Sequence, residues 1–173
     1  MNKLVMVING RGGVGKDALC DALEQSFRVI NISSIDPIKE IASRYGWQGE
    51  KTPKARRFLA DLKQVFVAYN DLPTRFLLDQ YESFMSSDVE VLCVHIREAS
   101  EIEKFISQIP THCITMLIRR PDPNGIAPYG NAADDEVENY AYDYIFDNVL
   151  PLEESGVAFC DLIREIMSGE AEK

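Results

Sequence analysis

The 173-residue chain has the length of one domain, and its 46% hydrophobic content is enough for a full core without staples. Eighteen Lys and Arg against 28 Asp and Glu leave a formal net charge of −10, a field that repels nucleic-acid phosphates and anionic lipid and argues against both as partners. Cys20, Cys93, Cys113 and Cys160 show no CxxC spacing, which disfavours a zinc site or disulfide framework and suits a reducing cytoplasm; no apolar run reaches the roughly 20 residues of a membrane span.

Leu4-Val5-Met6-Val7-Ile8 is an unbroken apolar run bounded by turn residues, as expected of a strand buried on both faces of a parallel sheet. A glycine-rich segment follows, and then Leu19, Leu23 and Phe27 at helical spacing predict a helix to about Phe27. Val29-Ile30-Asn31-Ile32 reads as a second strand. Asp36 as N-cap before Pro37 predicts a helix to Arg44, stopped near Gly46. From Pro53, the apolar positions Phe58, Leu59, Leu62, Val65, Phe66 and Tyr69 share one face of a long helix, leaving Arg56 and Lys63 on a basic face that suits a cleft.

Asp71-Leu72-Pro73 restarts a helix carrying Phe76, Leu77, Tyr81 and Phe84, and Val89 to Val94 reads as a third strand. Ser100 with Glu103 forms a capping box ahead of Ile102, Phe105, Ile106 and Ile109. Cys113 to Ile118 is a fourth strand. Arg119 to Asp134, rich in Pro, Gly, Asn and Asp, is a long loop with the composition of a lid. Tyr144-Ile145-Phe146 is a short fifth strand, and Phe159, Leu162, Ile163 and Ile166 mark the last helix. Strands alternating with helices predict an α/β fold with a parallel sheet covered on both sides.

Gly10-Arg11-Gly12-Gly13-Val14-Gly15-Lys16-Asp17 matches GxxxxGK immediately after a buried strand and at the start of a helix, the context a phosphate-binding loop requires. Glycines let backbone N–H groups converge on phosphate oxygens, the helix N-terminus adds its positive end, and Lys16 is placed to reach the β- and γ-phosphates. Asp17 stands where Ser or Thr is usual, substituting a carboxylate for a hydroxyl as magnesium ligand, and Ala18 follows it.

The GKD form of this loop resembles that of phage deoxynucleoside monophosphate kinases and animal phosphomevalonate kinase. Ser34-Ile35-Asp36-Pro37-Ile38-Lys39-Glu40 is similar to the segment that opens the acceptor-binding region of deoxynucleoside monophosphate kinases. His95-Ile96-Arg97 with Glu101 resembles their strand-end DxR…E element, with His in place of the Asp that acts near magnesium and acceptor. Ala133-Asp134-Asp135-Glu136 followed by Tyr142-Asp143-Tyr144-Ile145-Phe146-Asp147-Asn148 resembles the ending of guanylate kinases. The resemblance, over about a third of the chain, implies membership of the nucleoside monophosphate kinase group. It also implies a five-stranded parallel sheet with the P-loop strand central, an acceptor-binding helical region over about residues 34–87 and a lid over about 119–135 of one domain spanning 1–173.

Phosphoryl transfer draws nearly all its catalysis from positioning and positive charge, so arginines in an acidic chain are informative. Arg119 and Arg120 end a strand at the lid, where closure brings guanidinium groups onto ATP phosphates. Arg97 follows a strand that should end at the ligand-bearing edge, its alternative being an ion pair with Glu98 or Glu101. Arg56 and Arg57 are candidates for an acceptor phosphate, although Arg57 also has Asp61 at i+4. Asp36 suits an acceptor hydroxyl or base edge as well as an N-cap, and His95 suits magnesium-bound water or substrate as well as a strand-end hydrogen bond. The expectation is a cytoplasmic Mg-ATP-dependent kinase acting on a small phosphate acceptor, foremost a nucleoside or deoxynucleoside monophosphate. The alternatives are a non-nucleotide phosphorylated metabolite as acceptor, or a catalytically weak nucleotide-binding module.

Overall fold

The computed structural model describes residues 3–120 and 137–171. Five strands, β1 (Leu4–Asn9), β2 (Val29–Ser33), β3 (Val91–His95), β4 (Cys113–Arg119) and β5 (Tyr144–Asp147), form one sheet in the order β2-β3-β1-β4-β5. Every pairing is parallel, with Met6 opposite both Cys93 of β3 and Ile114 of β4. The α/β class and the central place of the first strand are therefore as its apolar run predicts.

Alternation along β1 explains the three layers. Leu4, Met6 and Ile8 point to one face, where they pack with Leu19, Cys20 and Leu23 of α1 (Lys16–Leu23) and Phe159, Cys160 and Ile163 of the last helix, α6 (Leu152–Ser168). Val5 and Val7 point to the other, against Leu77, Tyr81 and Phe84 of α4 (Leu72–Met85) and Ile102 and Phe105 of α5 (Ala99–Ile106). Lys3 anchors the start of β1. Its ammonium donates to the carbonyls of Phe84, Ser87 and Val89 and lies over the Phe84 ring, closing the C-terminal end of α4.

Several local expectations are corrected. Helix α1 ends at Leu23 rather than near Phe27, because the N–H groups of Glu24, Gln25 and Ser26 turn back three residues and tighten the chain into β2. The N-cap of α2 (Asp36–Arg44) is Ile35. Asp36 is already helical, and its Oδ2 accepts the Ser33 N–H at 2.7 Å. The Ser100–Glu103 capping box does not form: Glu98 is the N-cap of α5, and Glu103 accepts instead from the Tyr140 hydroxyl at 2.6 Å. Strand β3 begins at Val91, since the N–H groups of Glu90 and Val91 both go to the Arg28 carbonyl.

The largest departure is α3 (Pro53–Asn70), capped by the Thr52 hydroxyl accepting from Ala55 N–H. Leu59, Leu62 and Phe66 turn inward as expected, but Phe58, Val65 and Tyr69 are exposed, and Lys63 is the residue that is buried. At 100° per residue, the inward direction lies about 60° round the helix from the centre of the apolar stripe, on the side of Lys63. The polar position moves inside because carboxylates wait there.

Candidate functional site

In a parallel sheet all strands end on one edge, and here the chain fills one side of β1 with β2 and β3 before crossing to β4 and β5. The crevice at such a switch point, outside the carboxyl ends of the strands, is where open α/β sheets bind ligands. The segment after β1 that enters it is Gly10 to Lys16.

The loop's backbone is one that only glycine adopts without strain at its key positions. Gly10, Gly13 and Gly15 have φ of 147°, 81° and 93°. A Cβ at Gly10 would overlap the Ile118 carbonyl oxygen of β4, and one at Gly15 would stand 2.5 Å from Asn148 Nδ2. Gly12 and Gly13, by contrast, face open space, so the middle of the loop presents bare backbone. Lys16 bends back over it, its Nζ donating to the carbonyls of Gly10 at 2.6 Å and Arg11 at 2.9 Å. Val14 is buried beneath, and Asp17 is exposed in the first turn of α1 with Ala18 following.

Two buried amides fix this loop; nothing in the sequence analysis marks Asn9, and only the guanylate-kinase-like ending points to Asn148. Asn9 Oδ1 accepts the Gly10 N–H at 2.8 Å while its Nδ2 donates to the Arg97 carbonyl and the Tyr142 hydroxyl. Asn148, the last residue of the guanylate-kinase-like ending, donates from Nδ2 to the Val14 carbonyl at 2.7 Å and from its backbone N–H to the Arg119 carbonyl. Both are almost wholly buried, so each bond is made in a low-dielectric setting where its loss leaves a polar group unsatisfied. Arg11 extends the frame: its Nε lies 3.3 Å from Glu138 Oε1 in the 3₁₀ turn Val137–Asn139.

The strand ends bring some predicted residues together and direct others elsewhere. Arg97 follows β3 and is exposed. Its expected alternative partners, Glu98 and Glu101, are held by Lys63, whose Nζ lies 3.0 and 2.7 Å from their Oε2 atoms. Burial raises the Glu98 pKa but the Lys63 ammonium more than reverses it, giving a net lowering; burial leaves Glu101 raised, the neighbouring Glu98 charge adding to it. Lys63 therefore lines no cleft; it ties α3 to the first turn of α5.

Arg119 ends β4 with a two-pronged contact to Asp147 at the end of β5, 2.8 Å from Nε and 3.1 Å from Nη2, and this pairing raises its pKa. Arg120 follows it and is exposed. The remainder of the expected lid, residues 121–135, and Asp134 to Glu136 of the guanylate-kinase-like stretch lie outside the described residues. Arg56 is exposed on α3, whereas Arg57 contacts Asp61 at 3.8 Å as an ordinary helix-surface pair. Asp36 Oδ1 is also 3.4 Å from Lys39 Nζ, so both of its oxygens are engaged.

His95 turns toward α1 and β2. Its Nε2 lies 2.7 Å from Asn31 Oδ1 and 3.7 Å from Cys20 Sγ. All four cysteines are free and buried, no group of three metal-ligating side chains occurs among the described residues, and no helix there is long and apolar enough to cross a membrane.

No protein-family model and no curated protein matches the chain. Solved structures do. It is similar in fold to a kinase-like protein of Chloroflexus aurantiacus (TM-score 0.60, 11% identity, 98% of each chain covered). It is also similar to shikimate kinase of Aquifex aeolicus (0.54, 15%, 96% of this chain and 99% of that one) and to a sugar kinase of Janibacter (0.54, 11%, 99% and 100%). The architecture is thus that of the P-loop kinase fold, with its phosphate loop at the switch point.

Proposed function

We propose that the chain is a Mg-ATP-dependent kinase that transfers the γ-phosphoryl group to a small acceptor, foremost a nucleoside or deoxynucleoside monophosphate. The observation that carries this reading is the loop from Gly10 to Lys16, with open backbone at Gly12 and Gly13 and an ammonium poised over it. Such a cradle fits a triphosphate: N–H groups at the start of α1 and the Lys16 charge converge on the same space. When phosphate oxygens enter, Lys16 exchanges two carbonyl partners for anionic ones, strengthening its hydrogen bonds.

The exposed Asp17 carboxylate fits magnesium, which takes one or two carboxylates together with phosphate and water rather than an all-protein cage. Bound there, the ion would neutralise charge on the transferring group. Arg97 and Arg120 at the strand ends, and Arg119 on exchanging Asp147 for phosphate, supply further positive charge where it develops in transfer. Arg56 and Arg57 on α3 and Asp36 and His95 at the ends of β2 and β3 are assigned to the acceptor side.

A second reading, with a non-nucleotide acceptor, is favoured by the engagement of that side. Asp36 is taken by Ser33 and Lys39, Arg57 by Asp61, and His95 by Asn31 and Cys20. Shikimate kinase and a sugar kinase share the fold over nearly the whole chain, which accords with the scaffold accepting such substrates. ADP release from Mg-ATP is to be measured with nucleoside monophosphates, deoxynucleoside monophosphates, sugar acids, sugars and phosphorylated metabolites. Release that depends on a monophosphate supports the first reading, and release with another acceptor the second. ATP binding without release for any acceptor would replace both with a nucleotide-binding module.

A further inference from the structure

The rotation that takes Lys63 into the core leaves part of the α3 apolar stripe outside. Phe58, Val65 and Tyr69 are 47%, 62% and 82% exposed, although their spacing of seven and then four residues is that of a seam between two helices. The three lie within about 40° of one another round the helix and about 120–160° from Lys63, on its outer side, while its inner side packs with α2 and α4. Among the described residues, no other helix exposes three large apolar side chains in one row.

The charges of α3 also run against its own dipole. Its first turn carries Lys54 and no acid and its last turn no base, whereas α1, α2, α5 and α6 all open with acid. Lys54 stands about 180° round from Lys63, on the same outer side as the apolar row. At the positive end of its own helix the ammonium is unfavourable; beside the negative end of an antiparallel helix it is favourable.

We infer that this face binds a second copy of the chain, the two α3 helices lying antiparallel. About a two-fold axis beside residues 63 and 64, each Phe58 meets the partner's Tyr69, both Val65 side chains fill the middle, and each Lys54 reaches the C-terminal end of the partner's α3. A parallel pair would instead set Lys54 against Lys54, Asp61 against Asp61 and like dipole ends together. Arg56 lies within about 20° of Lys63, away from the seam, so that side of α3 stays open when the copies pair. The three apolar side chains expose about 350 Å² in each copy, and about 700 Å² in the pair is the low end for a specific interface. A weak, reversible dimer follows, half-formed at about 10–100 µM, with the net charge of −10 on each copy opposing tighter association.

Sedimentation equilibrium of the full chain from about 1 to 300 µM reads the association. Val65→Glu should weaken it at least about tenfold with the circular dichroism unchanged, and Tyr69→Lys serves in its place if that variant does not fold. Lys54→Glu should weaken it about threefold or more while leaving the dilute monomer as stable or more so, because an acid suits the first turn of its own helix. Orientation is read by disulfide formation. A mixture of Phe58→Cys and Tyr69→Cys chains should cross-link, whereas Phe58→Cys alone, with its two sulfurs about 16 Å apart along the paired helices, should not; the four native cysteines are buried. A chain that stays monomeric throughout, a dimer that Val65→Glu and Tyr69→Lys leave intact, or cross-linking of Phe58→Cys alone would overturn the inference.

Discussion

Lys63→Met keeps the length of the side chain and removes its charge, leaving the Glu98 and Glu101 carboxylates facing each other without the ammonium that joins them. Removing one partner of a fully buried ion pair costs about 3–5 kcal/mol. The Lys63 side chain is 8% exposed but those of Glu101 and Glu98 are 17% and 34% exposed, so water screens part of the loss. A destabilisation of about 2–3 kcal/mol at neutral pH is therefore expected, equivalent to about 5–10 °C in Tm for a chain of this size. In the native protein Glu98, with its lowered pKa, contributes stability present above its unfolded value and lost as pH falls through the folded one. Glu101, with its raised pKa, contributes stability that is full below the unfolded value and lost as pH rises through the folded one. In Lys63→Met both carboxylates are raised, so acidification relieves the variant, and its deficit should be smaller at about pH 5.5 than at about pH 7. Urea unfolding of both proteins at the two pH values measures this, and adding Glu101→Gln to the variant should restore part of the loss. A deficit under about 0.5 kcal/mol, or one that does not change with pH, would refute the assignment of Lys63 as the tie between α3 and α5.

Gly15→Ala should destabilise the protein by about 2–4 kcal/mol and Gly13→Ala by about 1–2, because both carry left-handed strain but only Gly15 also meets Asn148; urea unfolding ranks them. Asn148→Ala removes the bond to the Val14 carbonyl and should lower stability by about 1–2 kcal/mol and weaken ATP binding, read by calorimetric titration. Arg119→Gln should change stability by less than about 1 kcal/mol, since its pairing with Asp147 is half-exposed, yet raise the KM for ATP; Asp147→Asn should leave that KM near native.

The sheet was readable because strands buried on both faces are short apolar runs, and Leu4 to Ile8 or Cys113 to Ile118 admit little else. The phosphate loop was readable because its chemistry is backbone chemistry, set by glycines close in sequence. Contacts between side chains far apart in the sequence were not. Lys63 reads as a solvated charge on an amphipathic helix, and its partners lie 35 and 38 residues away. Asn148 grips the phosphate loop from 134 residues downstream, and only its place in the guanylate-kinase-like ending pointed to it. Ser100 and Glu103 had the spacing of a capping box, but Tyr140 supplied Glu103 with a better-placed donor.

Phosphoryl transfer by this chain is read by following label from γ-labelled Mg-ATP to an acceptor, compared between the native chain and Lys16→Ala. Label should leave ATP and appear on the acceptor in equal amount, and Lys16→Ala, which loses the ammonium over the Gly10 and Arg11 carbonyls, should reduce transfer at least about a hundredfold. Undiminished transfer in Lys16→Ala, or label released only as inorganic phosphate whatever the acceptor, would contradict the kinase reading.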